Sequence, residues 1–313
     1  MGCLERKTVI VTGAGRGLGA AYARLAASEG ASVVINDIDG ALAESVAGQI
    51  RDTGGKAMAR AADISSWEQA RDLIDSCVQA FGSVDGLVNN AGLHHMALPE
   101  EETESRIRAV VESNVYGTLF CGLHAIDRMR KQGAGSIVNV CSGAQTGISR
   151  MAVYGATKGA VASLTYSWSM DLAPLGIRVN AISPLARSAM SEATYEYFVR
   201  RGEPPKPNPN VTPEQNAPLV VYLLSDLSRA VNGQVVRIDG SQLALMTHPA
   251  VLHPPLRRDS WTVADIQAAF LETLEARQIP TGTYAVTQHR EAYQASRPDA
   301  SPRAAGSTSQ SGS

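Results

Sequence analysis

The 313-residue chain carries no excess of either charge: 28 lysines and arginines stand against 30 aspartates and glutamates, a net −2. Without a basic patch there is no electrostatic footprint for nucleic acid, and no basic amphipathic segment points to a membrane surface. No run of about 18 apolar residues occurs, so no transmembrane helix is expected. The opening stretch, MGCLERKTVIVTG, lacks the long apolar region of a secretory leader and moves straight into a strand-like run. Its Met1-Gly2 lacks the Ser or Thr that N-myristoylation requires four residues beyond the glycine, where Arg6 stands. Cysteine is scarce, and Cys3, Cys77, Cys121 and Cys141 show neither paired nor metal-ligand spacing. Reduced thiols are expected, with Cys77 and Cys121 buried, in a cytoplasmic protein without a metal site.

What is present is an ordinary globular composition, 44% hydrophobic and 19% charged. Short β-branched runs alternate with longer helical patterns. Strands are expected over 8–13, 31–37, 56–62, 84–92 with its exit loop, 135–142, 177–184 and 233–241. Helices are expected over 17–30, 40–53, 66–82, 102–131 and 152–173. Seven strands alternating with helices predict an α/β fold: a doubly wound parallel sheet with helices on both faces.

Two regions break this rhythm. Residues 185–213 hold TYEYFVRRGEPPKPNPNV, too long for a normal connection and of the kind that forms lids and binding loops. Beyond the first domain, 1–245, a C-terminal extension over 246–295 contains one helix at about 263–277. Thr262 is its expected N-cap, with Asp265 three residues on and Trp261 as a hydrophobic staple. Residues 296–313 have the composition of a disordered tail.

TGAGRGLGA (12–20) lies between a strand and a helix, where a glycine-rich turn presents backbone N–H groups to a pyrophosphate. Gly13, Arg16, Gly17, Leu18 and Gly19 would line that phosphate site. Asp37 ends the next strand, at the spacing of a carboxylate that holds an adenosine ribose, and its charge opposes a 2′-phosphate. NAD is therefore expected over NADP. Arg16 is the opposing signal, because a guanidinium in this loop can pair with a 2′-phosphate.

YGATK places Tyr154 and Lys158 four residues apart, on one face of a helix. Bringing a phenol from about 10 to near 7 requires roughly 4 kcal/mol of preferential phenolate stabilisation. An ammonium and an oxidised nicotinamide nearby both act in that direction.

Thr12-Gly13 with Gly17 and Gly19 reads TGxxxGxG. NNAG follows at 89–92, Asn114 sits in ESNVYG, Ser142 in IVNVCSG, and YxxxK closes the set at 154–158. In this order, over about residues 7–240, the chain resembles the short-chain dehydrogenase/reductase family. The resemblance implies a Rossmann-type fold, and Asn114, Ser142, Tyr154 and Lys158 as catalytic residues. Tyr154 would be the acid or base, Lys158 would tune it and hold the nicotinamide ribose, and Ser142 would polarise the substrate oxygen. Asn114 would fix a water linking Lys158 to solvent. Asp63 would hold the adenine amino group with Ile64 alongside. Asn89, Ala91 and Gly92 would line the adenosine ribose, with Asn90 beside them. SPLARS (183–188) resembles the segment that packs on the nicotinamide, through Pro184 and Ser188, with Leu185 in place of a glycine and Ser188 in place of a threonine. A count of thirteen back from Tyr154 points to Cys141 rather than Ser142. Alignment forward from GSIVNV favours Ser142, and a thiol is the poorer donor.

Substrate specificity is expected in residues 93–98, 143–153 and 185–213. Tyr195, Tyr197 and Phe198 point to an apolar secondary alcohol or ketone (a hydroxysteroid, a 3-hydroxyacyl thioester or a cyclic alcohol), or simply pack the lid on the core. His94 and His95 edge the pocket or lie on the surface behind it. The resemblance also implies a homodimer or homotetramer. The C-terminal helix would shield the cleft or dock on a neighbouring subunit. A cofactor-binding sensor without turnover is the alternative, against which stands the presence of Ser142, Tyr154 and Lys158 together. Epimerisation or dehydration would need a larger C-terminal domain.

Overall fold

The computed structural model describes residues 2–205, 207–252, 254–278 and 281–283. The expected tail over 296–313 lies outside them, as does most of 279–295. The chain divides into two compact units, Met1–Pro249 and Ala250–Ser313.

Eight strands form one sheet: β1 (Thr8–Val11), β2 (Ser32–Asp37), β3 (Lys56–Ala61), β4 (Gly86–Asn89), β5 (Gly135–Val140), β6 (Ile177–Pro184), β7 (Val235–Ile238) and β8 (Leu243–Leu245). Their order is β3-β2-β1-β4-β5-β6-β7-β8. The first seven run parallel, as expected, and β8 adds an antiparallel edge through Val236 opposite Leu245. Alternation decides which face each residue serves. Val9, Val11, Val33 and Ile35 pack against α1 (Gly17–Ser28) and α8 (Ala217–Leu224), while Ile10, Val34, Leu87 and Ile137 pack against α3 (Trp67–Phe81) and α5 (Gly117–Gln132). Burial on both faces explains the short apolar runs of the central strands, such as TVIV of β1, whereas edge strand β3, KAMARA, has a largely exposed pattern.

Between α1 and α3 lies α2 (Gly40–Asp52), with Asp39 accepting from the amides of Ala41 and Leu42. The expected helix over 102–131 is three pieces: α4 (Glu104–Val111), a π-helical turn at Glu112–Tyr116, and α5. α6 is Ala152–Leu172, and α7 is Ala189–Arg200. The last of these corrects the expectation of a long loop over 185–213. Ser188 caps α7 in a reciprocal pairing with Ser191. α8, APLVVYLL, was absent from the expected helices. It is buried almost throughout and therefore shows no helical stripe.

Strand order sets the location of the cleft. β1 lies between β2 and β4, so the loops leaving β1 and β4 diverge at the carboxyl edge, where open α/β sheets bind ligands.

In the second unit, α9 (Val263–Ala269) begins at Thr262 with the expected box: Thr262 Oγ1 accepts from the Asp265 amide, and Asp265 Oδ2 accepts from the Thr262 amide at 3.0 Å. The helix continues as a π turn over Phe270–Leu274 and a 3₁₀ turn over Glu275–Arg277. The Arg258 guanidinium pairs with Asp265 and lies 5.4 Å from the Trp261 ring centroid. No described helix is long and apolar enough to cross a membrane.

Candidate active site

The turn after β1 is shaped by glycine. Gly13 and Gly17 have φ of +60° and +57°, values that other residues adopt at a cost. A Cβ on Gly19 would lie 2.4 Å from the Gly13 carbonyl oxygen, whereas one on Gly17 would meet nothing within 4 Å. The space over Gly17 is open cleft. The loop leaving β4 locks onto this turn: Thr12 Oγ1 accepts from the amides of Asn90 and Ala91, both at 3.1 Å, and Asn90 Nδ2 donates to the carbonyls of Thr12 and Gly13 at 2.9 and 3.0 Å.

A cleft of about 510 Å³ runs over this turn, and Gly13, Arg16, Gly17, Leu18 and Gly19 line it from the first loop. Asp37, Asp63, Ile64, Asn90, Ala91, Gly92 and Ser188 complete the sequence-predicted lining. Asp37 Oδ2 accepts from the Gly15 amide at 2.9 Å, which presses the carboxylate against the glycine-rich turn. Asp63 Oδ1 accepts from both the amide and the hydroxyl of Ser65, at 2.9 and 2.7 Å. Leu93 and Met190 also line the cleft, from segments expected to carry substrate specificity, while Glu112 and Ser113 line it and were not expected. Glu112 and Ser113 lie within two residues of Asn114, and that adjacency was the only available signal for them.

Four predicted cofactor contacts are not among the residues that line this cleft: Asn89, Pro184, Tyr154 and Lys158. Asn89 is 3% exposed and donates to Asn139 Oδ1 at 2.9 Å inside the sheet, because β4 pairing turns its side chain away from the cleft. Pro184 ends β6, opposite Ile238, and does not line the cleft. Leu185, standing where a glycine was expected, has no left-handed φ, and its amide donates to the Ile238 carbonyl at 2.9 Å. The SPLARS backbone thus follows an unstrained path without the glycine.

Ser142, at the end of β5, caps the turn Gly143–Thr146 and accepts from the Ala144 amide at 3.2 Å. The Ser142 hydroxyl beside the Tyr154 phenol favours the phenolate, but burial dominates and pushes the Tyr154 pKa up to about 12. Lys158 is 4% exposed, and its Nζ donates to the Val140 carbonyl at 2.7 Å. Burial lowers its pKa to about 8. Nζ lies 5.7 Å from the Tyr154 ring centroid. Cys141 is 1% exposed, with its thiol pushed up to about 12 by burial. The neighbouring hydroxyl, not this thiol, meets Tyr154.

Asn114 sits in the π turn, fully buried. Its Nδ2 donates to the Leu93 carbonyl at 2.9 Å and to Thr157 Oγ1 at 3.0 Å, and its Oδ1 accepts from the Leu93 amide at 2.7 Å. A Cβ on Gly92 would lie 3.0 Å from that Oδ1 and 3.6 Å from Lys158 Nζ, so the two groups flank one glycine. His94 packs its ring at 5.1 Å and 89° on Tyr154, and burial followed by His95 lowers its pKa to about 4. His95 pairs with Glu102 at 2.8 Å. The histidine beside Tyr154 is therefore uncharged at neutral pH.

Residues 7–196 match the family model described as short chain dehydrogenase. The cis-4-hydroxycyclohexanecarboxylate dehydrogenase of Sinomonas cyclohexanicum is 36% identical over 76% of this chain and 97% of its own. A short chain dehydrogenase from Mycobacterium avium superposes with a TM-score of 0.76 at 32% identity, covering 88% of this chain and 96% of its own. A gluconate 5-dehydrogenase from Burkholderia cenocepacia, solved with NADP and tartrate, gives a TM-score of 0.68 at 30% identity over 76% of this chain and 95% of its own. The chain belongs to the short-chain dehydrogenase family. That family is one of nicotinamide-cofactor oxidoreductases, and dehydrogenases acting on alcohols are among its members.

Proposed function

We propose that the protein is an NAD-dependent dehydrogenase that interconverts a secondary alcohol and a ketone, acting on a largely apolar substrate. The observation that carries this reading is the grouping of Ser142, Tyr154 and a buried Lys158 beside a glycine-lined cleft. The cleft fits a dinucleotide: open space stands over Gly17, and Asp37 is held at the end of β2. Gly13, Gly17 and Gly19 would admit the pyrophosphate, Asp37 the adenosine ribose and Lys158 the nicotinamide ribose. When bound, the nicotinamide accepts or donates the hydride.

The chain's own residues handle the proton. At pH 7 Lys158, with a pKa near 8, keeps its charge, and Tyr154, near 12, keeps its proton. Tyr154 is thus ready as the acid for ketone reduction. Alcohol oxidation needs the phenolate, which positive charge in the site and the Ser142 hydroxyl favour. Ser142 steadies the charge that develops on the substrate oxygen, and His94, uncharged, buttresses the phenol ring without opposing it. Asn114 would hold a water on the path from Lys158 to solvent. Asp37 supports NAD, whereas exposed Arg16 in the same cleft leaves room for a 2′-phosphate partner. Half-exposed Ile107, Tyr116 and Leu123 along α4 and α5 support a second copy of the chain as partner.

The test follows NADH formation over a hydroxysteroid, a 3-hydroxyacyl thioester and cyclic secondary alcohols, each repeated with NADP. Tyr154→Phe should lower kcat by at least about a hundredfold, the range of acid–base loss, with NADH affinity preserved. Tight NADH binding without turnover of any alcohol would favour a sensor.

A further inference from the structure

Among the described residues, α7 is unusual in having no fully buried residue: Ser191, Thr194, Tyr197 and Phe198 are half-buried and its other eight residues are exposed. A helix of three turns is marginal in water without tertiary packing, yet the N-terminal turn of this one, at Ser188, Ala189 and Met190, forms a wall of the cofactor cleft. Partial burial of four side chains leaves a large share of the hold to polar contacts.

The far end of the helix carries the contacts. Tyr197 donates its hydroxyl to Glu101 Oε2 at 2.9 Å, and Arg201 pairs with Glu101. Arg201 Nε also donates to Glu203 Oε1 at 2.9 Å, and Arg150 Nη1 donates to Glu203 Oε2 at 2.6 Å. The Arg150 guanidinium lies 5.2 Å from the Phe198 ring centroid, and that of Arg201 lies 5.4 Å from the Tyr197 centroid. Two arginines, two glutamates and two aromatic rings thus join three segments: the turn at Glu101, the approach to α6 at Arg150, and the end of α7. Each guanidinium is matched by a carboxylate, so the cluster is not a spare anion site. Arg150 has φ +67°, a conformation disfavoured for a side chain of this kind, and its carbonyl accepts from the Ala97 amide at 3.0 Å. Strain is retained where the surroundings require it, and here it lies four residues before Tyr154.

We infer that Arg150, Arg201, Glu101 and Glu203 form an ionic latch that positions α7 against the cleft, and that cofactor retention and substrate access depend on it. The turnover arm of this inference rests on the dehydrogenase reading; the helix-docking arm does not. The side chains are 20–33% exposed, so single pairs are weak and the network is what holds.

The experiment uses the full-length protein and four variants: Arg150→Met, Arg150→Lys, Glu203→Gln and the Arg150→Met/Glu203→Gln double. Hydrogen exchange across residues 189–203 is read by mass spectrometry, with NADH affinity measured alongside. Each neutral variant should speed α7 exchange roughly three- to tenfold and weaken NADH binding by a similar factor, as expected for losing a network pair. Exchange of β1 and β4 should be unchanged, which separates unlatching from unfolding. Arg150→Lys should recover part of the loss, and the double variant should cost less than the sum of the singles. With an active alcohol, KM should rise while kcat holds. Wild-type exchange in α7 for the single variants, or strict additivity in the double, would overturn the latch. Loss of turnover on every alcohol, with the exchange pattern as expected, would overturn only the dehydrogenase reading.

Discussion

Burying the Lys158 ammonium comes at the expense of the fold. Its pKa falls from the ordinary 10.5 to about 8, mainly through burial, which corresponds to about 3 kcal/mol of disfavour for the charged form. The unfolded chain holds that proton up to the ordinary value. The cost is therefore fully present below about pH 8 and is relieved as pH rises toward 10.5. Lys158→Met removes the cost but leaves the Val140 carbonyl without its donor, a loss of about 1 kcal/mol. The variant should be about 2 kcal/mol more stable than wild type at pH 7. Paired urea melts at pH 7 and pH 10 should show that margin shrinking at the higher pH, while alcohol oxidation is lost at both. Equal stability at pH 7 would mean that Lys158 is solvated better than its surroundings imply. The Tyr154–Lys158 spacing was visible in the sequence because helical geometry places i and i+4 together. The side chain of Asn89 was misjudged, since which face of β4 it takes is set by pairing with β5 and Asn139.

At the scale of elements, legibility followed burial pattern. The central parallel strands were readable because both faces are covered and short β-branched runs such as Val9–Val11 and Val33–Ile35 mark them, whereas edge strand β3, KAMARA, is largely exposed. α8 is apolar all round and α7 has no buried residue, so neither has the one-sided stripe that marks a helix. The π turn at Glu112–Tyr116 inserts a residue into a continuous helical pattern, and it is the turn that carries Asn114. The turn between β1 and α1 yields the sharpest prediction. Gly19→Ala places a methyl 2.4 Å from the Gly13 carbonyl and 2.5 Å from Asn90 Nδ2, so two loops must separate. Helix propensity would gain about 1 kcal/mol from alanine. Overpacking costs about 1–3 kcal/mol and here meets backbone, so a net loss is expected. NADH titration should show affinity at least about tenfold weaker, with a lower melting temperature. Unchanged affinity would mean that the glycine-rich turn tolerates displacement and that its hydrogen bonds to Asn90 are not what shapes it.

For the whole molecule, the sheet and the site can be separated from the extension by where their parts lie. All eight strands, both large apolar clusters, the cleft lining and the Ser142–Tyr154–Lys158 group fall within residues 1–249. In the sequence the rhythm of strand and helix stops after β7. It did not indicate β8, whose three residues, Leu243–Leu245, are too few for a period and too exposed for a buried run. A chain ending at Pro249 keeps the hydrogen-bonded partner of β7 and loses only the second unit. Because a domain with its own core folds alone, this shortened chain should fold cooperatively and bind NADH within about threefold of the full-length affinity. Turnover of the best alcohol then decides the role of residues 250–313. Retained kcat/KM would assign them to stability or assembly. A selective rise in KM, with NADH affinity intact, would assign them to the substrate side of the cleft. Failure of the shortened chain to bind NADH at all would show that the first unit does not hold its cleft alone.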